Sequence, residues 1–234
     1  MAIPKSKLLL AAFLSLCVFP VLAESEALES TARPLPPEYR IHEDGSVVLR
    51  LCFNWSCATR QRVTFTASEM TQVATQMALC PNDVLHDRLQ RMRVGIWQME
   101  ELAQKRQPLL ANDQGVNHQD QETAGRMDCI DNASNTTTYL KVLHDLNLLP
   151  GWSIAKPQVR DRFWFSVHWS AAVVDAQTND PAPSPWVVDS WFRRNGNLPF
   201  VMPLADWESG RVPWEQPFTA SNPYPQYANQ LCPN

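Results

Sequence analysis

The sequence predicts an α+β fold with two strands at the start, three helices in the middle and a strand hairpin near the C-terminal end. Apolar residues spaced three and four apart over residues 83–107 indicate an amphipathic helix. Residues 162–174 and 185–192 are rich in β-branched and aromatic residues and are joined by a turn-rich segment, which indicates paired strands. Because helices and strands are segregated along the chain, the class is α+β.

The first part of the predicted domain contains two strands and a capped helix. Residues 46–55 and 62–66 have the composition of strands. Thr66 and Glu69 have the spacing of a capping box, which predicts a helix over residues 67–79.

Two further helices are predicted on either side of a long loop. The first covers residues 83–107, and it carries a run of arginines that we interpret as a solvated face: Arg88, Arg91 and Arg93. Residues 111–126 show no periodicity and are expected to form the loop. The second helix begins at Cys129 and continues to about residue 149, where Pro150 stops it.

Residues 1–23 have the layout of a secretory signal peptide. Lys5 and Lys7 precede an unbroken apolar run that ends in small residues, and cleavage is expected after Ala23. The cleaved chain would be periplasmic or secreted. The apolar run is too short for a comfortable membrane span, and no second run is long enough, so we expect no integral membrane segment after cleavage.

The remainder is expected to form one domain. Residues 24–45 are polar and predict an extended leader, and residues 46–234 are long enough for a single core with a Pro-rich C-terminal tail. The net charge of -4 at pH 7 argues against a nucleic-acid partner, for which a basic surface is expected. No cluster has metal-ligand spacing, so neither a metal nor a cofactor is predicted.

The six cysteines suggest which thiol is free. Removal of Cys17 with the signal peptide would leave five, an odd number in an oxidising compartment. Four of them can form two disulfides, in three pairings that the sequence leaves open: Cys52, Cys57, Cys80 and Cys232. Cys129 stands alone in the middle of the chain, and its position makes it the expected free thiol.

Cys129 lies where a free thiol could act as a nucleophile. Asp128 is a good N-cap, which places Cys129 at the first helical position. The unpaired N–H groups and the macrodipole at a helix start favour a thiolate. The backbone N–H of Cys129 would also be available to bind an oxyanion.

His168 and Asp189 are the residues expected to assist this thiol. His168 lies in an apolar strand, where an ionisable ring needs a hydrogen-bond partner, and Asp189 lies in the next strand in an equally apolar context. If the two strands pair, Asp189 can orient His168 and His168 can face Cys129. Each residue alone has a commoner structural interpretation, but the combination favours a catalytic triad.

Three segments resemble a known family. "DCIDNASNTTTYLKVL" resembles the cysteine-bearing helix, "DCED-A---K", of bacterial transglutaminase-like cysteine proteinases. "VHWSAAVV" looks like the family's histidine strand, and "PWVVDSWF" is similar to its "PLVLDN" strand. The resemblance covers residues 125–205, about a third of the chain.

The resemblance implies a papain-like, transglutaminase-type core in which the cysteine-bearing helix packs on an antiparallel sheet. It implies that Cys129 is the nucleophile, that His168 is the general base and acid, and that Asp189 orients the imidazole.

The resemblance gives only weak support for a calcium site. In the calcium-regulated members an acid follows the cysteine and helps to hold Ca²⁺, whereas Ile130 occupies that position here. Asp128 and Asp131 match flanking acids of the motif, and they would be the helix cap and the residues of any ion site.

The expected activity is hydrolysis of a peptide or amide bond in a protein or peptide substrate by an exported thiol enzyme. The alternatives are a transamidase or cell-wall peptide amidase that uses the same triad, and a disulfide-stabilised binding module without turnover. The second oxyanion donor is open between Trp97 and a polar side chain of residues 111–126.

Overall fold

The computed structural model describes residues 32–117, 120–161 and 167–210. The predicted signal peptide, Cys232 and most of the predicted C-terminal tail lie outside the described residues. No helix in the described ranges is both long enough and apolar enough to cross a bilayer.

The described residues form eight strands and four α-helices, which confirms the α+β class. The strands are β1 (Tyr39–Ile41), β2 (Val47–Phe53), β3 (Thr59–Phe65), β4 (Trp152–Ile154), β5 (Gln158–Asp161), β6 (Val167–Asp175), β7 (Trp186–Asp189) and β8 (Phe200–Pro203). The helices are α1 (Ala67–Ala78), α2 (Leu85–Arg106), α3 (Cys129–Asp145) and α4 (Leu204–Glu208), and a 3₁₀ helix (Pro108–Asn112) follows α2.

Helix α3 packs against two antiparallel sheets. The first has the order β1-β2-β3, and the second has the order β4-β6-β7-β8, with β5 also paired to β6. Helix α3 contacts β2 of the first sheet and both β6 and β7 of the second. The predicted hairpin is confirmed, because Ala171 of β6 lies opposite Val188 of β7 and Val173 lies opposite Trp186.

The predicted helices are confirmed, with one shorter than expected. Thr66 and Glu69 form the capping box that starts α1. Helix α3 begins at Cys129 as predicted but ends at Asp145, before Pro150. Asn147 adopts a left-handed conformation with a φ of 58°. The next N–H, of Leu148, then donates to Leu143 O, which closes the helix.

Four short strands were not predicted from the sequence: β1, β4, β5 and β8. Each has three or four residues, too few to show an alternating pattern. Strand β1 lies within the predicted leader, because residues 39–41 pair with β2.

The interpretation of the arginine run as a solvated face is wrong for two of its members. Arg88 is buried and forms a bidentate pair with Asp175, with N···O distances of 2.6 and 3.1 Å. Arg93 is fully buried, and its Nε donates to Pro199 O at 2.6 Å. Partners distant in sequence, Asp175 for Arg88 and Pro199 for Arg93, compensate for the burial of these guanidinium groups.

Glu100 of α2 makes the stability of the fold depend on pH. Its side chain is 2% exposed, and Oε2 accepts the Gly196 N–H at 2.8 Å. Burial raises the pKa of Glu100 to about 8, and the charge of Asp113 adds to the effect. The folded state therefore binds a proton that the unfolded chain has already released above about pH 4.3. The contribution of Glu100 to stability is greatest below that pH and falls as the pH rises to about 8.

We expect Glu100→Gln to flatten this pH dependence. The amide keeps an acceptor for the Gly196 N–H but has no proton to lose. Thermal melts at pH 5 and pH 8 should show a smaller fall in Tm for the variant than for the natural chain. Glu43→Gln, a change at an exposed position, is the control and should keep the original slope. An equal slope in the Glu100 variant would contradict the assignment.

Candidate active site

The start of α3 is held by a reciprocal pair of aspartates. Asp128 Oδ1 accepts the N–H groups of Ile130 and Asp131 at 3.0 and 2.9 Å. Asp131 Oδ2 in turn accepts the Asp128 N–H at 3.2 Å. This capping box satisfies orphan donors of the first turn and fixes Cys129 at the first helical position.

The same two carboxyl groups bind the loop between β2 and β3. Asp128 Oδ2 accepts both the N–H and the hydroxyl of Ser56 at 3.0 Å, and Asp131 Oδ1 accepts the Cys57 N–H at 2.7 Å. All four residues of 54–57 have positive φ angles, between 50° and 64°. Such angles are costly for side chains other than glycine. The hydrogen bonds to α3 and the Cys52–Cys57 disulfide together hold this conformation.

Hydrogen bonds to the helix start and to the 54–57 loop occupy all four carboxyl oxygens of Asp128 and Asp131. Burial and the charge of Asp128 raise the pKa of Asp131 to about 8. In the described part of the chain, one group of side chains has metal-ligand proximity, namely Cys52, Cys57 and Asp131. Its two sulfur atoms are bonded to each other, so they are not available as thiolate ligands.

The described cysteines comprise three that are disulfide-bonded and one free thiol. The structure pairs Cys52 with Cys57, and Cys80 is also disulfide-bonded. Cys129 is the free cysteine of the described residues.

The Cys129 thiol lies against β6, where it contacts backbone groups of the two residues that flank His168. Its Sγ is 3.9 Å from Val167 O, and the Trp169 N–H hydrogen-bonds the sulfur. Strand β5 pairs with this part of β6 along one edge, where Arg160 lies opposite His168. The N-terminal end of α3 thus meets the strand at the level of the predicted histidine.

His168 and Asp189 form a buried hydrogen-bonded pair. The distance from His168 Nε2 to Asp189 Oδ2 is 2.8 Å, and the two residues are 5% and 2% exposed. Antiparallel pairing of β6 and β7 brings them together. When Nε2 donates to the carboxylate, Nδ1 is the ring nitrogen left to exchange a proton.

Aromatic side chains surround this pair. The His168 ring centroid lies 4.7 Å from that of Trp191, 5.4 Å from that of Phe192 and 5.5 Å from that of Trp207. Cys129 packs against the cluster that contains Trp191 and Phe192. The thiol and the imidazole therefore contact the same hydrophobic cluster, although the thiol's hydrogen bonds in the described residues go to backbone groups of β6.

Trp207 is a member of the site that sequence reasoning missed. It is fully buried on α4, and its Nε1–H donates to Asp189 Oδ2 at 2.8 Å. The same carboxylate oxygen thus bonds to both His168 and Trp207. Strand β8 leads directly into α4 and brings Trp207 to β7, so only the tertiary pairing of β7 with β8 places it there.

The low pKa expected for the thiol at the helix start is not found, because burial outweighs the N–H groups that favour a thiolate. Burial raises the pKa of Cys129 to about 12, and the negative charges of Asp128 and Asp189 add to this. The Trp169 N–H lowers the pKa but does not offset the burial. The Cys129 N–H at the helix start also lowers the pKa, whereas Asp128, which accepts the N–H groups of Ile130 and Asp131, adds a charge of the same sign as a thiolate.

Two of the side chains considered as second oxyanion donors, Trp97 and Asn117, are engaged in other contacts. Trp97 packs against the main hydrophobic core. In the loop, the Asn117 amide donates to Asp113 Oδ1 and to Met127 O, so it supports the residue before Asp128. His118 and Gln119 lie outside the described residues.

Comparison with protein-family models, with curated proteins and with solved structures gives no match for this chain.

Removal of the Asp128 carboxyl group should destabilise the fold. We expect Asp128→Ala to lower the free energy of unfolding by roughly 2–4 kcal/mol, because it removes a helix cap and the acceptor for Ser56. Asp128→Asn keeps one acceptor oxygen for the helix and should lose about half as much. Urea unfolding of both variants measures this, and equal stability of all three proteins would refute the dual role.

Proposed function

We propose that the chain is an exported thiol hydrolase that cleaves a peptide or amide bond with Cys129, His168 and Asp189. The observation that carries this proposal is the buried 2.8 Å contact of His168 with Asp189 beside the free thiol. A cysteine at the start of a helix, packed on an antiparallel sheet that bears a histidine and an acid, is the arrangement expected of a papain-like, transglutaminase-type core. The disulfides fit the export that the N-terminal signal pattern predicts.

In the proposed first half-reaction, the thiol proton moves to His168 Nδ1 as the sulfur attacks the carbonyl carbon. The carbonyl electron pair moves to oxygen, where the Cys129 N–H donates a hydrogen bond. Collapse of this oxyanion breaks the C–N bond, and His168 returns the proton to the leaving amine. A thioester between Cys129 and the acyl group is left.

In the second half-reaction, water attacks the thioester. His168 takes one water proton and returns it to the departing sulfur, so the free thiol is restored and a carboxylic acid is released. Asp189 stays hydrogen-bonded to Nε2 throughout and stabilises the imidazolium in both steps.

The raised pKa of Cys129 restricts how the thiolate can form. An isolated thiolate at this half-buried position is disfavoured. Transfer of the proton to His168 instead produces an ion pair of thiolate and imidazolium with no net change in charge. The carboxylate of Asp189 lies on the far side of the ring to stabilise the cation. The thiol is therefore expected to react only through His168.

The second candidate function is a binding module that keeps the fold without turnover. The raised pKa of the thiol and its hydrogen bonds to the backbone favour it, because an unreactive buried cysteine shows both features. The two candidates differ in whether His168 controls the reactivity of Cys129.

Alkylation of Cys129 by iodoacetamide separates these candidates. For the hydrolase we expect the natural chain to react at pH 6 to 7, and His168→Ala to react only as the pH approaches the raised pKa of the thiol, about 12. Mass spectrometry of the labelled peptide between pH 5 and 10 gives both rates. His144→Ala, an exposed change at the far end of α3, is the control and should react like the natural chain. Superimposable rates for the natural chain and His168→Ala would support the binding module.

Turnover should depend on the same three residues. New protein N-termini that appear with the natural chain, but not with Cys129→Ala, would identify a substrate. With that substrate, Asp189→Asn should reduce kcat by about 100-fold or more, since the amide cannot stabilise the imidazolium. An Asp189→Asn enzyme with the natural kcat would exclude the proposed role of the acid.

A further inference from the structure

The outer face of the first sheet is an arginine-rich groove. Along β2 and β3, apolar side chains such as Leu49 and Val63 are buried, whereas alternate residues are exposed. The exposed positions of this sheet include four arginines: Arg40, Arg50, Arg60 and Arg62. Three of them and His42 line an open groove of about 660 Å³, and Arg60 lies beside it.

The charges in this groove are only partly compensated. Arg50 of β2 lies directly opposite Arg62 of β3, a like-charged pair that costs stability. Glu38 is the acid that lines the groove, and it pairs with Arg50 at 3.1 Å and with Arg60. Arg40 and Arg62 form no ion pair with the residues that the structure describes. A chain whose net charge is -4 thus concentrates positive charge on one sheet face.

The groove belongs to the hairpin whose loop binds the start of α3. Arg60 lies opposite Cys52, the half-cystine at the end of β2. Residues 54–57 follow, and Asp128 holds this loop next to Cys129. A ligand extended along β2 and β3 would therefore lead toward the thiol.

We propose that this groove binds an acidic segment of a polypeptide in an extended conformation. Alternate residues of a strand are about 6.8 Å apart, so the spacing of Arg60 and Arg62 matches carboxylates on alternate residues of an extended ligand. Each guanidinium can bind a carboxylate through two parallel hydrogen bonds.

A nucleic-acid ligand fits the groove less well. Single-stranded nucleic acids are bound by aromatic side chains on which the bases stack. Tyr39 lines the groove, but its hydroxyl group is tied to Asp145 by a 2.5 Å hydrogen bond. Peptide binding at this groove does not require turnover at Cys129. If the proposed hydrolase function holds, the acidic segment is part of the protein or peptide substrate.

The test uses the Cys129→Ala chain, so that binding is measured without catalysis. A fluorescein-labelled hexaglutamate peptide should bind in an anisotropy titration, with affinity that falls as NaCl increases from 50 to 500 mM. The double change Arg40→Glu and Arg62→Glu should weaken binding about tenfold or more. These two arginines form no described ion pair, and Arg62→Glu removes the like-charged pair with Arg50, so their replacement should not lower Tm, which circular dichroism checks.

The matched control is Lys105→Glu with Lys156→Glu, which changes the net charge equally at exposed positions outside the groove. Retained binding by this control supports the groove. An equal loss in the control, no binding of the peptide by the parent chain, or tighter binding of a hexathymidylate than of the peptide would each overturn the proposal. Because the test omits catalysis, its failure is distinct from a failure of the hydrolase function.

Discussion

The capping of α3 by Asp128 and Asp131 is the interaction on which the arrangement of the site depends. The two carboxyl groups set the first residue of the helix, and with their other lone pairs they hold the strained loop at residues 54–57. The disulfide closes that loop from the other side. One small set of hydrogen bonds therefore links the first sheet to the helix that carries Cys129, and α3 in turn packs on the second sheet.

The ionisable side chains of the site are buried, so a charge on either His168 or Asp189 needs a partner. His168 and Asp189 lie among Trp191, Phe192 and Trp207, where an isolated charge is costly. Asp189 Oδ2 accepts two hydrogen bonds, from His168 Nε2 and Trp207 Nε1, which compensate this oxygen for its burial. The thiol lies in the same apolar surroundings, and its raised pKa follows from them. Such a site favours proton transfer from Cys129 to His168 over loss of the thiol proton to solvent.

Much of the secondary structure could be predicted, because the main elements have local signals. The Thr66 capping box, the apolar stripe of α2 and the Asp128 cap each lie within a few residues of the feature they specify. The paired strands β6 and β7 follow from composition. The four short strands could not be predicted, since three or four residues carry no periodicity. The burial of Arg88 could not be predicted either, because its partner Asp175 lies 87 positions later in the chain.

The sequence by itself determined the position of Cys129 at a helix start and the adjacency of the His168 and Asp189 strands, because short-range patterns specify caps and strands. Only the tertiary structure decided what surrounds them. It brought Trp207 onto Asp189, the 54–57 loop onto Asp128, and four arginines onto one face of a sheet. It also made burial outweigh the expected effect of the helix start on the pKa of the thiol. The acidity of a buried group depends on neighbours that are distant in the chain, and no local pattern records them.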